Sequence, residues 1–350
     1  MNPFTIGLML ASATSLSNVV MDVTRKKALS DHDLLRTTFW IRFTVAAALT
    51  IMLAVRWWSG VVPAIHPDVS AASFSIGASP RISYLVYLLV DTALVAFSVL
   101  LYYRAVQVSP LSLTIPFLAF TPVFLLLTGN VMLGEIPPLL KSEGVIFVVL
   151  GSLLMHREAF RAGIFEPFKA VLRERGSRYM LAVSFILSLT NPLDKKLVMM
   201  SDAFSYGWAY AIMLLLFFGI PLLMRRGAPG NAAPLAIKWI PLAGLSDALT
   251  LLLQFESHNY IDVVITISLK RAGIILAVLA GWLIFHERQI ADRLIASAVM
   301  LVGAVMIYLP LTRQQQIVLT LVTLAGTAIA LYLTRQPGAR QPAVPAKLGA

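Results

Sequence analysis

"LLTGNVMLGEIPPLLKSEGVIFVVLG", residues 126–151, recurs in altered form as "VLAGWLIFHERQIADRLIASAVMLVG", residues 278–303, when the sequence is shifted by 152 positions. The alignment needs no gap and brings four pairs of similar residues together: Gly129 with Gly281, Glu135 with Glu287, Lys141 with Arg293, and Gly151 with Gly303. Each stretch joins the end of one apolar segment to the start of the next. The chain therefore contains an internal repeat built from long apolar segments.

The composition indicates a polytopic membrane protein. Of the 350 residues, 58% are hydrophobic and 13% are charged, and the mean hydropathy is +0.81. These values lie far outside the range of soluble domains. The formal net charge is +11, but most basic residues stand in short connections between apolar segments, where they act as topology determinants. We therefore expect no nucleic-acid partner.

Eleven segments are long and apolar enough to cross a bilayer as helices of roughly 20 residues. The predicted spans are 3–22, 36–57, 82–103, 110–133, 138–156, 179–200, 205–224, 237–257, 260–285, 289–310 and 315–334. The first has no basic stretch before it, which favours a retained helix over a cleaved signal peptide. The outward-apolar alternation of a membrane barrel is absent, so the fold class is all-α.

The repeat divides the chain into two sets of five spans, residues 1–156 and 179–310. Five is an odd number, so the two sets enter the membrane with opposite orientations, as in secondary transporters whose substrate site lies between inverted halves. Residues 157–178 are predicted to be an amphipathic, basic connector, 315–334 an extra eleventh span, and 335–350 a disordered tail. The expected architecture is a ten-helix, five-plus-five inverted-repeat bundle.

The distribution of lysine and arginine predicts the orientation. With the N-terminus outside, the outer connections carry only Arg56, Arg81, Lys141 and Arg313, and the other connecting basic residues face the cytoplasm. By the positive-inside rule the N-terminus is outside and the C-terminus inside, which requires the eleventh span. The expected location is the bacterial inner membrane, with multiple passes and a monomeric or homodimeric state.

Lys270 and Arg271 stand in the middle of the ninth span, "TISLKRAGIIL". Each is roughly 15 Å from either end of the helix, too far to reach an interface by snorkelling. An intramembrane cation costs at least ~2.5 kcal/mol on insertion scales, so something must compensate for it. Their counterparts at the shift of 152 are the uncharged Leu118 and Ala119. The charge is therefore specific to the second half and favours binding of an anion.

Three acidic residues offer a competing explanation. Asp91 and Asp247 lie in the middle of the third and eighth spans, and Glu256 lies near the end of the eighth. They are candidate salt-bridge partners for the two cations, and charge pairing is slightly favoured over the alternative that the aspartates carry a proton in coupled transport. Both roles of the cations are compatible, because a carboxylate can occupy them while substrate is absent.

A lysine pair adds a second candidate anion site. "SLSN" at 15–18 resembles "SLTN" at 188–191, and a lysine pair follows each, Lys195 and Lys196 in the second half. These two lie near the end of the sixth span, where snorkelling to the interface is an equal alternative. The neighbouring Asp194 is interpreted as a local partner or cap.

Glycines and glutamates recur in the same order in the two halves. In this respect the chain resembles the two EamA repeats of the drug/metabolite transporter superfamily, over nearly all of residues 1–310. "NPLDKKLVMMSDAFSYGWAYAIMLL" (191–215) and "TISLKRAGIILAVLAGWLIF" (266–285) resemble the lysine-pair and Lys-Arg segments of triose-phosphate and sugar-phosphate translocators. The resemblance implies that a lysine of the first segment and both cations of the second bind substrate phosphate. Lys195 or Lys196, Lys270 and Arg271 would hold it here.

The sequence thus predicts a secondary-active transporter that works by alternating access. The expected substrate is a small organic anion, with phosphorylated compounds and phosphonates favoured. The alternative is an EamA-type exporter of amino acids or drugs whose cations are structural. A membrane enzyme and a scaffold are less favoured hypotheses. An enzyme would be expected to show a cluster of catalytic residues, and none stands out in the sequence, whereas a scaffold has no need of cations in the middle of the membrane. No P-loop motif, no cysteine and no HExxH motif occurs, so we expect no ATP hydrolysis, no cofactor and no bound metal.

Overall fold

The computed structural model of the chain describes residues 2–29, 33–60, 80–121, 123–125, 128, 142–154, 165–224, 238–261, 263–287, 290–308 and 311–333. These residues form helices joined by turns and contain no strand. The helices are α1 (Pro3–Leu29), α2 (Leu34–Trp58), α3 (Pro80–Val108), α4 (Leu111–Thr114), α5 (Ser142–Leu154), α6 (Glu166–Arg173), α7 (Arg175–Met200), α8 (Ala203–Met224), α9 (Trp239–Ser257), α10 (Val263–Phe285), α11 (Ile290–Tyr308) and α12 (Arg313–Leu333), with a 3₁₀ helix at Ile115–Ala119 directly after α4.

Two of the places where helix ends differ from the predicted boundaries contain charged residues. The first helix continues to Leu29 rather than ending at residue 22, so the basic residues at 25–27 belong to a helix and not to a connection. The connector predicted at 157–178 contains α6 and ends at Glu174, where α7 begins. In both places a helix continues past its apolar segment, because polar side chains that find partners in the bundle do not have to leave the helix.

Acidic side chains mark the starts of three long helices. The Asp33 carboxylate accepts a hydrogen bond from the Arg36 amide at 2.8 Å at the start of α2. Glu174 accepts from the amides of Gly176 and Ser177 at the start of α7. Asp202 does the same for the first turn of α8. These caps satisfy amide groups that the first helical turn leaves without partners.

The segment predicted as the fourth span is interrupted at Pro116. The α-helix there is only four residues long and passes into the 3₁₀ helix, whose side chains are buried. Leu118 and Ala119, the uncharged counterparts of Lys270 and Arg271, lie in that 3₁₀ helix. Pro122, the second proline of this predicted span, lies outside the described residues, as do Glu135 and Lys141.

Residues Met1–Leu309 form one compact unit. Within it α1 packs against α9 and α10, α3 against α7, α2 against α8 and α9, and α5 against α11. Its largest fully buried side chains include Tyr103, Tyr206, Phe117 and Phe255. Many apolar side chains face outwards, such as Ile51, Val55, Phe97 and Leu245. An apolar exterior around a polar-containing interior is the pattern of a bundle surrounded by lipid.

The crossing of α5 and α11 depends on two glycines that the repeat alignment pairs. A Cβ on Gly151 would lie 2.8 Å from the Ala296 carbonyl oxygen, and one on Gly303 would lie 2.6 Å from the Gly144 carbonyl oxygen. Real Cβ contacts are not this short, so only glycine permits the approach. Gly144 and Ala296 are themselves 152 positions apart, and the two contacts are therefore reciprocal.

Four described helices meet strict criteria of length, hydropathy and low charge for crossing a membrane: Pro3–Leu29, Leu34–Trp58, Arg81–Val108 and Ala203–Met224. The described residues therefore form an all-helical protein with several membrane-spanning helices. The second unit, Pro310–Ala350, contains α12, whose 21 residues extend about 31 Å, enough to cross the hydrocarbon core. The predicted tail 335–350 lies outside the described residues.

Candidate functional site

A cavity of about 420 Å³ opens where the N-terminus of α1, the last turns of α7 and the turn after α9 meet. Its mouth includes the exposed residues Phe4, Asn259 and Tyr260. Seven residues line it: Phe4, Lys195, Met199, His258, Asn259, Tyr260 and Ile261. The cavity combines a cation, a histidine and an asparagine with a wall that is otherwise apolar or aromatic, as expected for a small-molecule pocket.

Lys195 reaches this cavity from a helix that contains a proline. Pro192 has no amide hydrogen, so the Ser188 carbonyl loses its helical donor, and the Thr128 hydroxyl donates to that carbonyl at 2.8 Å instead. The next residue of the predicted lysine pair points elsewhere, since Lys196 Nζ lies 4.0 Å from the centre of the Tyr87 ring on α3. The structure thus separates two lysines that the sequence left equivalent.

Lys270 is held within the bundle by its contacts with α1 and α9. Gly273, one turn further along α10, lies so close to Ser15 that a Cβ would be 2.9 Å from the Ser15 carbonyl oxygen. Lys270 Nζ donates to Gln254 Oε1 at 2.7 Å. Arg271 belongs to the same helix, and its side chain lies outside the described part of the structure. The close helix approach therefore fixes where the Lys270 ammonium group can reach.

His258 is a site residue that sequence analysis missed. It follows the last residue of α9, is 4% exposed, and neither ring nitrogen has a hydrogen-bond partner among the described residues. Burial lowers the pKa of His258 from 6.5 to about 3, and the positive charges of Lys195 and Lys270 add to this shift. Lys195 and Lys270, from different helices, thus lie within electrostatic range of one neutral imidazole. Its position, directly after a predicted span, was the available signal.

Next to this cationic region, two aspartates share one tyrosine. The Tyr206 hydroxyl oxygen lies 2.9 Å from Asp91 Oδ2 and 2.5 Å from Asp194 Oδ1. All three side chains are buried. Asp194 is also within electrostatic range of Lys270. Asp194, interpreted from the sequence as a local partner or cap, is therefore part of a buried polar cluster that joins α3, α7 and α8.

The other predicted charge partner, Asp247, is held by two arginines. Its Oδ2 atom lies 2.6 Å from Arg25 Nη2 and 2.9 Å from Arg42 Nη1, and Arg42 also donates to the Tyr103 hydroxyl oxygen. Sequence analysis proposed Lys270 or Arg271 as the partner and placed Arg25 in a connection. The direct partners that the structure describes come from α1 and α2 instead, because α1 extends far enough to bring Arg25 beside α9.

Glu256, the third candidate partner, is bound locally. The Asn259 amide donates to its Oε2 atom at 3.4 Å and the Tyr260 hydroxyl to its Oε1 atom at 3.3 Å. Both donors line the cavity mouth. Glu256 therefore orders the turn between α9 and α10.

Glu287 joins the opposite end of the bundle. Its Oε1 atom accepts from Lys26 Nζ at 2.8 Å and from the Leu111 amide at 2.7 Å, and its Oε2 atom accepts from the Ser112 amide at 2.8 Å. Partial burial by itself would raise the pKa of Glu287, but the hydrogen bonds from Lys26 and Ser112 lower it below its usual value. Glu287 stays ionised and ties the ends of α1 and α10 to the start of α4.

The fold and the arrangement of charges define a multi-pass helical membrane protein with a buried polar interior. Residues 5–157, less than half of the chain, match the model of the EamA-like transporter family.

A search among solved structures supports the fold over a longer range. One crystal structure of a protein superposes with a TM-score of 0.55 and 14% sequence identity, covering 85% of this chain and 96% of the other. At that identity the similarity concerns the fold alone. Among curated proteins, no sequence matches this chain.

Proposed function

We propose that this protein is a secondary-active transporter of the bacterial inner membrane that moves a small organic anion, phosphorylated or a phosphonate, by alternating access. One observation carries the choice of substrate class: Lys195, which lines the cavity, and Lys270 both lie within electrostatic range of the buried, neutral His258 in the cavity wall. Two ammonium groups, one of them in the wall of a partly apolar pocket, are suited to a phosphoryl or carboxyl group. Arg271, next to Lys270, completes the proposed set by its resemblance to the sugar-phosphate translocators.

The helix packing supports an inverted repeat. In an inverted repeat, α1 to α5 would correspond in order to α7 to α11. The α1–α9 contact would then correspond to the α7–α3 contact, the α2–α9 contact to the α8–α3 contact, and the α5–α11 contact to itself. All of these contacts are observed. The reciprocal glycine contacts of α5 and α11 follow the same exchange. Two halves that exchange in this way are suited to rocking about a site between them.

The charges also support alternating access. The cavity lies at the end of the bundle where residues Phe4 and His258 to Ile261 are found, and these positions are extracellular in the predicted N-out topology. At the cytoplasmic end α1 is joined to α9 by the Arg25–Asp247 pair and to the end of α10 by the Lys26–Glu287 pair. Ion pairs that close one end while a cavity opens at the other fit an outward-facing state.

The second candidate is an exporter of amino acids or drugs with structural cations. The proximity of Asp194 to Lys270 favours it, because an internal carboxylate can compensate for the lysine without any substrate. The two functions predict different substrates, and transport by the purified protein separates them.

The experiment is counterflow in proteoliposomes with radiolabelled phosphate and a panel of phosphorylated, phosphonate and amino-acid solutes. We expect Lys195→Ala, Lys270→Ala and Arg271→Ala each to raise the half-saturating phosphate concentration ~10–100-fold, the cost of losing one charge-assisted contact. Lys196→Ala should have a smaller effect than Lys195→Ala. Lys27→Ala is a matched control, since Lys27 Nζ lies over the Trp239 ring. Lys27 is at the end of α1 opposite to Phe4, which lines the cavity. Counterflow of amino acids alone, unaffected by the three substitutions, would support the exporter and exclude the anion.

A further inference from the structure

The contact among Tyr206, Asp91 and Asp194 needs more hydrogen atoms than the tyrosine can supply. A phenol has one proton and can donate one hydrogen bond. Its oxygen nevertheless lies within hydrogen-bonding distance of two carboxyl oxygens, at 2.9 and 2.5 Å. If both aspartates were ionised, one of these contacts would be between two oxygen lone pairs. One more proton, on a carboxyl group, lets that carboxyl donate to the tyrosine while the tyrosine donates to the other.

Burial makes the missing proton more important. Asp91 is fully buried, and its other oxygen, Oδ1, has no hydrogen-bond partner among the described residues. A buried carboxylate without donors is strongly disfavoured, and two neighbouring carboxylates disfavour the ionisation of one another. A single proton shared through Tyr206 removes both penalties.

Several charged and titratable groups belong to the helices around the pair. They are Tyr210 on α8, Lys195 and Lys196 on α7, Lys270 on α10, His258 after α9, Arg42 on α2 and Asp247 on α9. Tyr210 interacts electrostatically with both aspartates of the pair. Lys270 lies within range of Asp194, Lys196 lies over Tyr87, and Arg42 is bound to Asp247. A lysine balances negative charge but does not supply the second hydrogen atom that the two contacts of Tyr206 require, whereas a proton on one carboxyl group does.

The equivalent position in the other half shows the contrast. Asp91 and Asp247 occupy matching places in α3 and α9, and each is approached by the two helices that begin the opposite half. Asp247 meets Arg25 and Arg42, whereas Asp91 meets Asp194 and Tyr206. The same place in the fold therefore carries a permanently paired carboxylate on one side and a carboxyl pair on the other.

We propose that Asp91, Asp194 and Tyr206 form a proton-binding site that holds one exchangeable proton inside the bundle. Combined with the proposed function, on which this consequence rests, the site couples transport to protons. An anion at Lys195 and Lys270 adds negative charge beside the pair and favours its protonated form, and by linkage the proton favours anion binding equally. The anion and the proton then move in the same direction.

Infrared spectroscopy of the purified protein tests the proton site without any substrate. At neutral pH the wild type should show the carbonyl-stretch band of a protonated carboxyl group, shifted by deuterium exchange. Asp91→Asn and Asp194→Asn should each remove that band, whereas Glu256→Gln, which changes a carboxylate at the cavity mouth, should leave it. Two independent variants guard against misfolding of one. A spectrum with no such band, or a band that both aspartate variants retain, overturns the proposal.

Calorimetry with inorganic phosphate in buffers of different ionisation enthalpy tests the coupling. We expect phosphate binding with proton uptake in the wild type, and binding without uptake in Asp91→Asn. Phosphate binding with no proton uptake in the wild type overturns the coupling. No phosphate binding at all contradicts the proposed phosphate site and not the proton site, which the infrared band decides by itself.

Discussion

At the scale of single residues, His258 links stability to pH. Burial, together with the charges of Lys195 and Lys270, lowers the pKa of its imidazole from 6.5 to about 3. In the unfolded chain the ring takes up a proton below about pH 6.5, and in the folded protein it does not until about pH 3. The contribution of the neutral His258 ring to the free energy of unfolding is therefore fully present above the unfolded pKa. This contribution is lost as the pH decreases from about 6.5 to about 3.

We expect the wild-type protein to lose ~2 kcal/mol of unfolding free energy between about pH 7 and about pH 5, and His258→Gln to lose much less. The reason is that glutamine carries no titratable group at that place. The measurement is denaturation in detergent at both pH values. His286→Asn, at an exposed histidine with φ of 52°, should keep the wild-type dependence. A wild type that is equally stable at both pH values would contradict the burial argument.

At the scale of helices, α5 and α11 are held at a distance that only glycine permits. The Cβ positions at Gly151 and Gly303 fall within 3 Å of backbone atoms of the facing helix, and backbone atoms cannot move aside as a side chain can. Since the two contacts are reciprocal, a methyl group on either glycine should separate the helices in the same manner.

Gly151→Ala and Gly303→Ala should therefore each destabilise the protein by about 1–3 kcal/mol, the usual cost of overpacking. Gly326→Ala is the control, because nothing lies within 4 Å of the Cβ that it adds to α12, and alanine is the better helix former there. Thermal unfolding in detergent gives all three values. If the two bundle variants match the control, the tight crossing does not exist.

The ion pairs of Asp247 bind three helices together, α1, α2 and α9. Removal of its charge by Asp247→Asn leaves two buried arginines without their direct ion-pair partner, and breaking a buried pair in this way costs about 3–5 kcal/mol. We expect a correspondingly lower unfolding temperature. Glu166→Gln, which removes an exposed ion pair with Lys169, should change stability little by comparison. Equal effects of the two substitutions would show that the Asp247 pairs do not stabilise the bundle.

At the scale of the whole molecule, the topology can be mapped with single cysteines, because the chain contains none of its own. In the N-out arrangement Asn259 at the cavity mouth is extracellular and Lys238, before α9, is cytoplasmic. Asn259→Cys should react with a membrane-impermeant maleimide in intact cells, and Lys238→Cys only after permeabilisation. The opposite pattern would reverse the orientation. Saturating phosphate should protect Asn259→Cys if the cavity is the anion site.

Much of the architecture was predictable because a helix that crosses a membrane requires a long run of apolar residues. The boundaries of α8, α9 and α11 lie within a few residues of the predicted spans, and the repeat alignment identified Gly151 and Gly303 before their contact was known. The end of α1 was not predictable in this way, since Arg25 to Lys27 interrupt the apolar pattern and are compensated only by partners on distant helices.

Several charged residues of the candidate site were predictable from the sequence, but the ion pairs and hydrogen bonds among them were not. An ionisable residue inside a span is costly enough to be recognised from the sequence, which is how Lys270, Asp91 and Asp247 were found. Which charge meets which depends on helices brought together from opposite halves of the chain, and no local pattern encodes that. By itself the sequence determined a helical membrane protein with an internal repeat and buried charges. Only the tertiary structure decided that Asp247 is neutralised by arginines, while Asp91 faces Asp194 across a single tyrosine proton.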